Sequence, residues 1–174
     1  DISNNTLIYF ECNDNQLTSL DVSQNTALKS LHFEHNQLTS IDISNNIELK
    51  YLYCRWNPLT SINTSQNVNL FSFWCGYNNI TSIDVTNNPD LYSFSCRHNN
   101  ITSIDVTNNL ILNTLSTGHN QLTSIDLSNN LALTWISLYN NQLTNIDLSN
   151  NTVLNHLEID LNNLTSIDLS NNLN

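Results

Sequence analysis

The chain has 174 residues, a formal charge of −11, no Met, and 4 Lys and Arg against 15 Asp and Glu. So few cations cannot displace the counterions of a phosphate backbone, which excludes nucleic acid as a partner and disfavours anionic membrane surfaces. No apolar run approaches the roughly 20 residues that span a bilayer, so no membrane insertion is expected.

The 39% hydrophobic content builds a core only if the apolar residues are regularly placed. The chain opens on Asp1-Ile2-Ser3-Asn4-Asn5, which reads as the second half of a preceding repeat unit. From Leu7 to Leu154 a Leu then recurs every 21 residues, giving eight units without insertion. With that Leu as position 1, position 4 holds Phe10, Leu31, Leu52, Phe73, Phe94, Leu115, Ile136 and Leu157. Position 6 holds Cys12, Phe33, Cys54, Cys75, Cys96, Thr117, Leu138 and Ile159. Positions 3 to 7 therefore alternate as a strand with one buried face does. Position 11 is Leu or Ile throughout, position 14 is Leu20 and then seven Ile, and position 16 is aliphatic except at Thr64. Positions 14 and 16 flank an outward Asp, which predicts a second short strand. Positions 9 and 19 are always Asn, from Asn15 to Asn162 and from Asn25 to Asn172. Buried carboxamides stacked on their equivalents bond to backbone groups of two coils. The expected fold is a β-rich solenoid of eight 21-residue coils, each with two short parallel strands and little or no helix. One coil cannot bury its apolar side alone, and stacking buries it against its neighbours.

The pattern LxxLxCxxNxLTSIDVSNN, seen over residues 91–109 with Phe94 and Ile101 for Leu and Thr107 for Ser, resembles the bacterial leucine-rich repeat. The 21-residue unit with a Cys column is similar to the internalin J type and to surface proteins of Bacteroidetes. The resemblance covers the whole chain and implies a secreted or cell-surface protein whose first strand lines a concave face. It is nearly silent on the ligand. Residues 1–174 read as a single repeat domain, excised from a larger secreted protein. Neither end shows a capping segment, and an uncapped coil is an open sheet edge, so end-to-end self-association is expected.

The four Cys all stand at position 6, facing inward. In-register parallel neighbours about 4.8 Å apart meet disulfide torsions poorly, so they read as free thiols packed as small hydrophobes. No metal is predicted there, because an inward column offers no tetrahedral closure. The outward Asp column (Asp21, Asp42, Asp84, Asp105, Asp126, Asp147 and Asp168) supplies too few oxygens per coil for calcium, and local hydrogen bonding is expected instead.

Variation concentrates at positions 2, 3, 5, 7 and 8. Four Phe occupy core positions, and the other ten aromatics all fall at those variable positions. Exposed aromatics massed on one face mark a contact surface. Units four to six then form a floor of Ser72, Ser93, Ser95, Thr114, Ser116, Gly76 and Gly118. Tyr51, Tyr53, Trp56, Trp74 and Tyr77 rise on one side and Trp135 and Tyr139 on the other, with Arg55, Arg97, His98 and His119 at the edges. Such a trough suits a polysaccharide or oligosaccharide, whose C–H faces pack on rings while its hydroxyls meet polar side chains. The same residues suit a protein partner of a cell-surface adhesin or receptor module, since Tyr, Trp and Arg dominate protein hot spots. No Ser/His/Asp set, phosphate loop or paired acid in an apolar pocket appears, so neither catalysis nor a cofactor is predicted. No broad apolar patch is evident from the sequence.

Overall fold

The computed structural model describes Ile2 and residues 6–172. The half-unit expected over residues 1–5 lies, Ile2 aside, outside the described residues. Eight three-residue strands follow in order: β1 (Tyr9–Glu11), β2 (Ser30–His32), β3 (Tyr51–Tyr53), β4 (Ser72–Trp74), β5 (Ser93–Ser95), β6 (Thr114–Ser116), β7 (Trp135–Ser137) and β8 (His156–Glu158). They form one parallel sheet in sequence order, with no helix among the described residues. Each pairing advances by one unit, as in Phe73 opposite Phe94 and Trp74 opposite Ser95.

The ladder continues past each strand. Cys75 N–H donates to Ser95 O at 2.8 Å, Tyr77 N–H to Arg97 O at 2.8 Å and Asn78 N–H to His98 O at 3.2 Å. Position 8 takes positive φ in all eight coils, from 52° at Asn140 to 57° at Trp56. This left-handed conformation costs about 1 kcal/mol or more for a non-glycine residue and persists only where its surroundings hold it.

The position-9 amide holds that turn. Asn78 Nδ2 donates to Cys54 O at 3.1 Å in the preceding coil, and to Cys75 O at 3.0 Å and Gly76 O at 3.2 Å in its own. Its Oδ1 accepts from Leu59 N–H at 3.1 Å. One side chain thus satisfies groups of two coils. The position-19 amide works from the opposite side: Asn109 Nδ2 donates to Val85 O at 3.0 Å and Asn88 O at 2.8 Å. Between the columns the core is apolar, as in Leu91, Phe94, Cys96 and Val106, except for buried Thr64 and Thr117.

The second strand expected in each coil is absent from the described residues. Side chains alternate there as anticipated, with Val85 buried and Asp84 exposed. The backbone instead runs as an extended arc joined to its neighbour by one bond, such as Asn100 N–H to Ile80 O at 2.8 Å. It then closes through an Asx turn: Asp105 Oδ1 accepts from Thr107 Oγ1 at 2.7 Å and Thr107 N–H at 2.9 Å. Those bonds, the hydroxyl first, hold the Asp105 carboxyl below its ordinary range. The side-chain acceptor takes the amide that a strand ladder would need.

Thr64, the polar exception at position 16, has a structural reason. Its hydroxyl donates to Asn88 Oδ1 at 3.0 Å, whereas among the described residues Asn109 Oδ1 and Asn130 Oδ1 find no donor. Thr64→Val should destabilise the array by about 1–2 kcal/mol in urea unfolding. Val106→Thr, which sets a hydroxyl beside Asn130, should raise the midpoint.

All four Cys are free. Burial pushes the Cys54 and Cys75 thiols far up and Cys96 up to about 12, while Cys12, at the first coil, is only half-buried. A thiolate is the reactive species. In the native state a disulfide reagent should therefore modify Cys12 first, with Cys54, Cys75 and Cys96 reacting only on unfolding. Equal rates at all four would contradict this packing.

Candidate binding face

Exact register lines up the outward side chains of the sheet in columns. At position 5, His32 stacks on Tyr53 at 4.3 Å and Tyr53 stacks on Trp74 at 4.5 Å, while Tyr9 from position 3 meets His32 edge-on at 5.3 Å. At position 8 five rings stack without a break: His35, Trp56, Tyr77, His98 and His119, at centroid spacings of 5.3, 3.5, 4.1 and 3.8 Å. At position 2, Phe71 stacks on Tyr92 at 5.0 Å, and Tyr51 from position 3 meets Phe71 edge-on at 6.2 Å.

Trp74 and Trp135 stand on either side of coils five and six. Trp74 is backed by Tyr53 and by the Arg55 guanidinium, 4.8 Å from its ring centre, and Arg55 is ion-paired with Glu34. Its indole N–H donates to Ser93 Oγ at 3.1 Å. Trp135 stacks on His156 at 3.5 Å, on the side away from Trp74. His156 Nε2 lies 3.2 Å from Glu158, whose carboxylate also accepts from Ser137 Oγ at 2.6 Å. Among the described residues no ring stacks on the sides of the two indoles that face one another. Between them lie the hydroxyls of Ser95, Thr114 and Ser116, each half-buried and without a hydrogen-bond partner in the described chain. Three strand spacings separate the two coils, about 14 Å along the sheet.

Two expectations about this slot need correction. The glycines do not open its floor, because neighbouring side chains fill the space they leave. A Cβ on Gly118 would lie 2.6 Å from Tyr139 Cδ1, and one on Gly76 would lie 2.9 Å from Arg97 O and 3.1 Å from Arg97 Cγ. Tyr139 therefore lies across Gly118, edge-on to His119 at 4.8 Å, rather than rising as a wall. Arg97 lies across Gly76 with its guanidinium 5.2 Å from the Tyr77 ring. Ser72 is buried too. The floor narrows to Ser93, Ser95, Thr114 and Ser116.

The sequence reading also missed an apolar stripe. Position 20 carries Ile47, Val68, Pro89, Leu110 and Leu131 on five consecutive coils, with Leu110 59% and Leu131 57% exposed. Val68, Pro89 and Leu110 border a shallow groove with Thr86, Thr107 and Asn108. The signal was the aliphatic column itself, which interrupts an otherwise polar turn.

No family model matches the sequence. No curated protein matches it either. Among solved structures, the functional domain of internalin J from Listeria monocytogenes, described as including a cysteine ladder, is similar over 99% of this chain. The identity is 40% and the TM-score 0.98. The chain is a bacterial leucine-rich repeat solenoid. It spans 39% of the length of that internalin J structure. Internalin C2 of the same organism is 20% identical over 95% of this chain and 76% of its own, with a TM-score of 0.89. A leucine-rich repeat protein of Leptospira interrogans is 24% identical over 87% of this chain and 48% of its own, at 0.73. The latter two show the fold alone. In this leucine-rich repeat array Phe33 interrupts the Cys column and Thr117 ends it. Stacked repeats of this architecture present extended surfaces for binding.

No helix is long and apolar enough to cross a membrane, among the described residues. Nor do three His, Cys, Asp or Glu side chains converge there as a metal site would require. His98 and His119 lie face to face rather than aiming their nitrogens at one point. Burial first, then the His119 and Arg97 charges, lower the His98 pKa from its ordinary value. Its folded value lies below the unfolded one, so this contribution to stability is present above about pH 6.5 and is lost as pH falls toward the folded pKa. In an NMR titration His98 should show a midpoint below that of free imidazole, and a midpoint above it would contradict the stack.

Proposed function

We propose that this leucine-rich repeat array is a non-catalytic ligand-binding module that holds a polysaccharide or oligosaccharide chain across its sheet face, between Trp74 and Trp135. The observation that carries the reading is the slot itself: two indoles backed on their outer sides, with three unpartnered hydroxyls between them. Elsewhere on the sheet, Ser30 is bonded to His32 at 3.0 Å and Ser137 to Glu158 at 2.6 Å. A sugar ring packs its C–H face on an indole and exchanges hydrogen bonds with the floor. Buried surface and satisfied polar groups then act together. In this reading Tyr53 and Arg55 stiffen the first wall, and the ladder of Trp56, Tyr77, His98 and His119 guides the chain along the rim. The secreted or cell-surface setting that the internalin resemblance implies suits such a ligand.

A protein partner is the second reading. The exposed stripe of Ile47, Val68, Leu110 and Leu131 favours it, because contiguous apolar surface on a soluble protein marks a contact site.

The two readings use different faces. Titration with a panel of soluble polysaccharides, followed by Trp fluorescence and calorimetry, should identify a binder. Trp74→Ala and Trp135→Ala should each weaken it about tenfold or more. Thr123→Ala, on the arc away from the sheet, should leave affinity unchanged. A binder indifferent to both Trp substitutions, or a panel without a binder, would contradict the slot.

A further inference from the structure

The charges of this chain are segregated. All 4 Lys and Arg, and all 5 His, fall within positions 2 to 8 of their units, on or beside the sheet. That strip is one third of each unit. The 15 Asp and Glu are distributed differently: Glu11, Asp14, Glu34, Glu158 and Asp160 are in the strip, all in the first two coils or the last, and the other ten lie outside it. The strip of the five central coils, residues 50–56, 71–77, 92–98, 113–119 and 134–140, contains no carboxylate at all. It contains Lys50, Arg55 and Arg97. A protein of charge −11 has cleared its acids from the one surface where the slot lies.

The cations of the strip are not equivalent. Arg55 is neutralised by Glu34 and committed to the back of Trp74. Arg97 has no ion-pair partner among the described residues. Its stem rests in the space above Gly76, which a Cβ would close, and its guanidinium lies over Tyr77. Arg97 belongs to coil five, the coil that supplies Ser93 and Ser95 to the floor. A half-buried guanidinium, seated by a glycine and a ring and in no ion pair among the described residues, presents a planar donor fork. The Glu158 carboxylate feels its charge but is already bonded to Ser137 and His156. The acids of the arc do not cancel it, because charges farther than about 8 Å are largely screened at physiological ionic strength.

Resting on the reading of the slot as a glycan site, we infer that it selects an acidic polysaccharide, one with uronate-type carboxylates, and that Arg97 is the residue that reads the charge. The Trp walls take the sugar ring and the floor hydroxyls take its hydroxyls. The carboxylate supplies the contact ion pair that Arg97 lacks among the described residues.

The test compares oligouronates with their own methyl esters, which keep the sugar and remove the charge. Pairs from galacturonan, mannuronan and glucuronan, titrated by calorimetry, provide the probes. At least one free acid should bind about tenfold more tightly than its ester. The ratio should shrink between about 0.02 M and about 0.5 M salt, as screening requires. Arg97→Gln should bring it to within about twofold, and Arg97→Lys should retain part of it. Acid and ester binding equally, or a preference that survives Arg97→Gln, would overturn the inference while leaving the glycan site intact. So would a neutral glucan that binds when no uronate does. A carboxylate-bearing peptide that binds through Arg97 when no sugar does would overturn it as well, and would move the slot to a protein partner. Failure of every glycan, charged or neutral, defeats the reading of the site beneath it.

Discussion

The structure depends on one carboxamide per coil. The position-9 Asn reaches across the coil boundary and bonds to carbonyls on both sides, while its oxygen takes an amide of the preceding coil. A buried carboxamide has two donors and a two-lone-pair acceptor, and this geometry uses both ends. Any slip in register would strand several buried groups at once, at about 1–3 kcal/mol each. The amide therefore fixes more than the fold. It sets equal side chains above one another at the strand spacing, and every column on the binding face follows from it.

Given those columns, local choices shape the surface. Where large rings succeed one another they stack, as from His35 to His119 at position 8. Where Ser and Thr replace rings, as in coils five and six, the columns break and a slot is left with a ring on each side. The two glycines of the chain serve this arrangement by lodging Arg97 and Tyr139 flat against the sheet. The left-handed turn at position 8 is held by the Asn amide beneath it and by backbone bonds to the next coil, which explains how Trp and Tyr are tolerated there. The charges follow the same geography, with cations on the sheet side and most acids in the turns of the arc.

Much of this was legible in the sequence, because the repeat is uninterrupted. The period, the inward set at positions 1, 4, 6, 11, 14 and 16, and both Asn columns could be read by superimposing the units. The second strand misled because alternation reports which side chains face inward, not which partner the backbone chooses. Asp105 and Thr107 capture the amide that a ladder would use. The position-8 turn was hidden because Trp56, Tyr77 and Leu161, which disfavour positive φ, share the column with the Asp, Asn and His that tolerate it. Tyr139 was misplaced because the space above a glycine belongs to whichever neighbour is large enough to occupy it. The stripe from Ile47 to Leu131 was hidden because a single aliphatic side chain in a polar turn is ordinary on a protein surface, and only stacking of the coils makes the column contiguous.

In the proposed reading, two walls a fixed number of coils apart define the recognition slot. The most direct test changes that number. Duplicating residues 91–111 should give a nine-coil array that folds cooperatively, with Trp74 and Trp135 about 5 Å farther apart. Duplicating residues 28–48 adds the same length outside the slot. The ligand that binds the parent chain should be lost or replaced by a longer one in the first variant, and should bind unchanged in the second. Equal binding by both would contradict the claim that the spacing of those two indoles selects the ligand.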